Sequence, residues 1–123
     1  MPAQEARRKT IMEFSAEQLQ ELRELCPGAQ PCGEGGVPYI FLPQLSLPEG
    51  CTPAQIDALL CPTAHHGYTS RLFLAQRISS PQSRNWSTET RIMERTWYAI
   101  SWKFEQPNLR LAQILALQLR AFR

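Results

Sequence analysis

The sequence predicts an α+β protein: a helix, about four antiparallel strands, then a second helix. Three observations carry this expectation. A capped amphipathic segment, SAEQLQELRELCPG, stands near the start. Short apolar runs bounded by proline, glycine and serine fill the middle, and an apolar stripe at helical spacing closes the chain.

Residues 1 to 14 read as a polar N-terminal arm and residues 15 to 123 as a single domain. In the first element Ser15 is the expected N-cap, with Gln18 three residues on. Leu19, Leu22 and Cys26 then share a face, and Pro27-Gly28 stops the helix, which spans about residues 15 to 26. GAQPCGEGG reads as a turn-rich connector. VPYIFLPQLSLPEG is the first strand, its prolines expected at edge positions or strand ends.

AQIDALLCP and RLFLAQRI supply two more strands, with Leu72, Leu74 and Ile78 on alternate positions of the latter. SSPQSRNWSTE is a polar loop, and the threonine, isoleucine, tryptophan and tyrosine of TRIMERTWYAISWKF favour a fourth extended segment. In the tail NLRLAQILALQLRAFR, Leu111, Leu115, Leu119 and Phe122 recur at helical spacing beside Ile114, with Asn108 as the expected cap.

A chain of 123 residues buries roughly two-thirds of the surface exposed when it is unfolded, enough for one core. Thirteen basic residues against eleven acidic ones leave a net charge of +2, too small to imply nucleic acid or an anionic membrane as partner. No segment approaches the ~20 apolar residues of a membrane span. The opening MPAQEARRKTIMEFS carries charges without the apolar run of a secretory leader. The expectation is a cytoplasmic protein with reduced cysteines.

All four cysteines, Cys26, Cys32, Cys51 and Cys61, lie in the first half. Cys61 precedes His65 and His66, which raises zinc and a thiol nucleophile as candidates. Structural zinc normally takes two tight ligand pairs, whereas this chain offers Cys26-x5-Cys32 and Cys51-x9-Cys61. A helical Cys-His pairing is opposed by Pro62. A polar turn is the favoured reading, and no metal or other cofactor is expected.

CGEGG has neither the spacing nor the lysine of a phosphate-binding loop. Arg77, Arg84, Trp86, Arg91 and Arg95 interleave arginine with an aromatic, but the small basic excess favours solvated strand edges over a nucleic-acid surface.

Several segments together resemble the bacterial ubiquitin-conjugating-enzyme-like superfamily, in particular its prokaryotic family E. Leu47, Pro48 and Gly50 match a strand-ending Leu-Pro-x-Gly. Asp57, Leu59, Leu60 and Pro62 match Asp-x-Leu-Leu-x-Pro, Tyr68 and Phe73 match the next loop and strand, and a tryptophan-rich segment and a helix follow. The sequence departs from the pattern at Thr69, at Leu72 and at Trp102-Lys103, where the family has proline, methionine and Arg-His.

The resemblance implies a ubiquitin-conjugating-like fold. It also implies an acyl carrier or transferase that takes the C-terminus of a ubiquitin-like protein from an ATP-dependent activating enzyme, in a setting of bacterial antiviral defence. The family's nucleophile window falls at about residues 90 to 107, which hold no cysteine. The hydroxyl matching the family's Ser-Arg-His element is Ser101. Lys103, one of two lysines in the chain, is the candidate base or charge stabiliser, since in an extended segment it shares a face with Ser101. The competing readings are a locally hydrogen-bonded strand serine with a solvent-facing lysine, a catalytically inactive platform for the same partners, and an unrelated α+β binding module. The modified target is not legible.

Overall fold

The computed structural model describes residues 14–63, 70–102 and 109–123. Among these the order is α1 (Ala16–Leu25), β1 (Gln30–Glu34), β2 (Val37–Ser46), β3 (Gln55–Cys61), β4 (Arg71–Leu74), β5 (Thr88–Ile92), β6 (Arg95–Ala99), α2 (Leu111–Leu119) and a 3-10 turn (Arg120–Phe122). The fold is α+β, with the predicted helices at either end. Among the described residues, however, the sheet has six strands instead of about four.

Helix α1 starts where the sequence places it, with the Ser15 hydroxyl accepting the Gln18 N–H at 3.0 Å. It buries Leu19 and Leu22. Its end is tied down by Arg23 Nε donating to the Ala29 carbonyl at 3.0 Å, and by the Cys26 thiol donating to the Pro43 carbonyl at 3.4 Å. Phe14, read from the sequence as part of the arm, packs half-buried against the same core.

The two additional strands come from two hairpins. Gln30–Glu34, read as a connector, pairs antiparallel with β2 through a two-residue turn at Gly35-Gly36, with φ of +60° and +80°. Glycine adopts such left-handed angles at no steric cost, which is why Gly-Gly between apolar runs makes a hairpin. The segment read as one extended stretch is likewise two strands, β5 and β6, turned at Met93-Glu94 with φ of 51° and 62°. Neither turn residue is a glycine, so the sequence carries no turn signal there.

All pairings are antiparallel, in the order β1-β2-β3-β4-β6-β5. Pro43 does not lie at an edge or a strand end as expected. It sits inside β2 at an irregularity between Leu42 and Leu45, where Gln44 has φ 52° and donates its N–H to the Asp57 carboxylate at 2.9 Å. A proline without an N–H is tolerated where the ladder is already interrupted.

The sheet is buried on both faces, because it curls. On one face Ile40, Leu42, Ala58, Leu60, Leu72 and Leu74 pack with Leu19 and Leu22 of α1 and Leu111, Ile114 and Leu115 of α2. On the other, Tyr39, Leu59, Cys61 and Phe73 close over Ile92, Trp97 and Ala99 of the β5-β6 hairpin. Trp97, 1% exposed, meets Phe41 edge to face at 6.4 Å and donates its indole N–H to the Ile92 carbonyl at 3.0 Å. Each such buried side chain contributes about 1.5–3 kcal/mol, so apolar burial on this face stabilises the curl.

Helix α2 buries Leu111, Ile114 and Leu115, and Phe122 follows in the 3-10 turn; Leu119 is half-buried. Its N-cap is Arg110, while the expected cap Asn108 lies outside the described residues. Arg110 joins the two helices, its guanidinium bonding Glu17 at 2.6 Å and Glu21 at 2.8 Å.

Candidate functional site

Ser101 lies two residues beyond the end of β6, exposed. Its backbone N–H donates to the Asn85 carbonyl at 2.9 Å, which fastens the residue to the polar loop that precedes β5. The Asn85 side-chain amide approaches the Ser101 hydroxyl at 3.4 Å, a long contact in which the amide is the donor. Ser101 is therefore accessible on a held backbone.

The flanking residues are anchored from both sides. Before it, the Ile100 carbonyl accepts from the Arg71 guanidinium at 3.3 Å, and the same Nη2 reaches the Ser87 hydroxyl at 3.4 Å. Arg71 is only 3% exposed and lies 5.8 Å from the centre of the Phe73 ring. After it, the Trp102 indole donates to the Leu117 carbonyl of α2 at 3.3 Å, and the Arg84 guanidinium lies 5.0 Å from the Trp102 ring. Arg84 Nε also donates to the Ala121 carbonyl. Trp86 stacks on Phe122 at 6.1 Å.

Lys103 lies outside the described residues, and so do His65, His66 and Tyr68. Among the described residues the partner of the Ser101 hydroxyl is an amide donor, which can support a developing negative charge but cannot take a proton.

Cys61, the alternative nucleophile, is fully buried at the end of β3. Its thiol donates to the Thr63 carbonyl at 3.6 Å. Burial pushes the thiol up from its ordinary value, the reverse of the electropositive exposure an attacking cysteine requires. Burial has the same effect on Cys26, Cys32 and Cys51. Among the described residues no group of three or more histidine, cysteine or acidic side chains is arranged to hold a metal.

The arginine and aromatic series resolves into internal contacts. Arg77 meets Glu89 at 3.6 Å and the Tyr98 ring at 5.3 Å. Arg95 meets Asp57 at 3.1 Å and the Trp97 ring at 4.9 Å, and Arg91 donates to the Glu94 carbonyl at 3.0 Å. These arginines serve the sheet's own edges and turns.

No family model, curated protein or solved structure matches the chain.

Sequence reading passed over Asn85 and Arg71. Asn85 sits in a stretch with ordinary loop composition, so nothing local marks it. Arg71 had a signal: a charged residue opens the apolar run RLFL, and a buried charge must be compensated nearby. Ser70 and Gln118, also buried, bond each other at 2.9 Å beside it and join β4 to α2.

Proposed function

We propose that the protein is a ubiquitin-conjugating-like acyl carrier of the bacterial cytoplasm that accepts the C-terminus of a ubiquitin-like protein from an ATP-dependent activating enzyme, with Ser101 as the acceptor. The reading rests on the residues shared with prokaryotic family E. It is supported by an α+β core in which an N-terminal helix, an antiparallel sheet and a C-terminal helix follow in order. One observation carries the choice of Ser101: an exposed hydroxyl held between the last strand and the last helix, facing an amide donor, in a window without a thiol.

In the transfer, Ser101 Oγ forms an ester bond to the carbonyl carbon of the incoming C-terminus. The bond to the activating enzyme's leaving group breaks, and the hydroxyl proton departs with that group. In this reading the Asn85 amide, 3.4 Å from the Ser101 hydroxyl, would turn to donate to the carbonyl oxygen as charge develops on it. Lys103 is the nearest basic residue in sequence for assisting the proton's removal.

A second reading, an inactive platform for the same partners, is favoured by one specific feature. Among the described residues the Ser101 hydroxyl bonds an amide donor and no base.

The deciding experiment combines the protein with its activating enzyme, the ubiquitin-like protein and ATP. An adduct that resists thiol reductants, is cleaved by alkali or hydroxylamine and disappears in Ser101→Ala supports the carrier. An adduct persisting in Ser101→Ala removes this residue from the chemistry. No adduct, with both partners still bound, identifies the platform.

A further inference from the structure

Among the described residues the sheet ends in two edge strands, β1 and β5, and they differ. β1 carries Pro31, which has no N–H to offer, and Gly33. β5 has neither residue type, and its register against β6 is regular from Thr88 to Ile92. Among the described residues its backbone pairs with β6 alone, so its outer row of N–H and C=O groups is open. An unpaired edge of this kind is a template for another strand.

The side chains of β5 alternate. Glu89 and Arg91 are exposed on one face, while Thr88 and Thr90, half-buried, and Ile92, buried, lie on the other. Neither charge is strongly committed. Glu89 meets the exposed Arg77 at 3.6 Å, and Arg91 uses one guanidinium nitrogen on the Glu94 carbonyl at 3.0 Å. Opposite charges on either side of Thr90 make the strand complementary to itself. When two copies of β5 run antiparallel about a two-fold axis at Thr90, each Glu89 lies opposite Arg91 of the other copy, and Thr88 lies opposite Ile92. Moving the axis to Glu89 sets carboxylate against carboxylate, and moving it to Arg91 sets guanidinium against guanidinium, both unfavourable. Charge thus selects a single register and makes a second copy the fitting occupant.

We propose that β5 is a self-association edge through which two copies of this chain pair antiparallel about Thr90, joined by backbone hydrogen bonds and by reciprocal pairs of Glu89 with Arg91. The strand spans only about 17 Å, so the dimer is weak and concentration-dependent. The proposal does not depend on acyl transfer at Ser101.

The test is sedimentation equilibrium of the full chain over about 10 µM to 1 mM, where the parent should show a monomer-dimer equilibrium. Glu89→Arg and Arg91→Glu should each weaken association at least about tenfold, because each sets like charges opposite one another. An equimolar mixture of these two variants should associate again, since one strand then offers only cations and the other only anions. The exchange variant Glu89→Arg/Arg91→Glu should also recover self-association, which keeps the test decisive if a single variant folds poorly. A parent that stays monomeric at the highest concentration, or single variants that dimerise as the parent does, would overturn the proposal. So would failure of both the mixture and the exchange variant to associate.

Discussion

The Glu34 carboxylate accepts the backbone N–H of Met93 at 2.9 Å, joining the tips of two hairpins 59 residues apart in sequence. The bond spans the curl. It lies where Met93 and Glu94 take left-handed backbone angles that cost a non-glycine residue roughly 1 kcal/mol or more.

Relieving that turn should stabilise the protein. Glu94 is exposed, so Glu94→Gly removes no packing and should raise stability by about 0.5–1 kcal/mol in a urea melt. Glu34→Ala should lower it by about 0.5–1.5 kcal/mol, since it removes the charged acceptor of the Met93 N–H. If Glu94→Gly is destabilising instead, the turn does not hold the strain assigned to it.

The apolar stripe of α2 is structural. Leu115 is fully buried, and Leu115→Ala should cost about 2–5 kcal/mol from lost burial and the cavity left behind. An unchanged midpoint of thermal unfolding would contradict its burial.

Asp57 links stability to acid. The Gln44 N–H and then the Arg95 guanidinium hold its carboxyl below the usual range. A carboxyl with a depressed folded-state value contributes its stability above the unfolded-state value, near pH 4, and loses it as pH falls through the folded one. Asp57→Asn should therefore flatten the acid side of a stability-against-pH curve below about pH 4, and the difference from the parent should shrink towards pH 2. Identical curves would mean that Asp57 is not perturbed.

The thiols should be slow to react. Cys26, Cys51 and Cys61 are buried and Cys32 is partly covered, and burial pushes all four up. Under native conditions at pH 7 a maleimide should label Cys32 first, and the other three should label only as fast as the protein opens. Rapid native labelling of Cys61 would return it to the list of nucleophiles.

Replacing the candidate acceptor should change the bond it makes. Ser101→Cys should convert a reductant-resistant adduct into a reductant-sensitive thioester, while Cys61→Ala leaves the adduct intact. Lys103→Ala should slow formation by roughly 10²–10⁴-fold without moving the attachment site, if the lysine is the base. A Lys103→Ala rate equal to the parent's would exclude it from the proton transfer.

Local chemistry made the ends of this protein legible. Ser15, the Leu19-Leu22 face and Pro27-Gly28 mark α1, and the spacing of Leu111, Ile114 and Leu115 marks α2, because caps and helical periodicity act within a few residues. The Gly35-Gly36 hairpin was equally present in the sequence, but the short, mostly exposed β1 before it has a connector's composition.

Other features required the tertiary structure. The turn at Met93-Glu94 is held by Glu34 and by the packing of Trp97 on Phe41, and neither influence is local. The curl buries β3 and β4 on both faces and erases the alternation that separates inside from outside. Ser101 was reached by resemblance alone. Its exposure, its Asn85 partner and the buried Arg71 behind Ile100 come from segments 16 and 29 residues away, and long-range juxtaposition of that kind leaves no periodic trace in the chain.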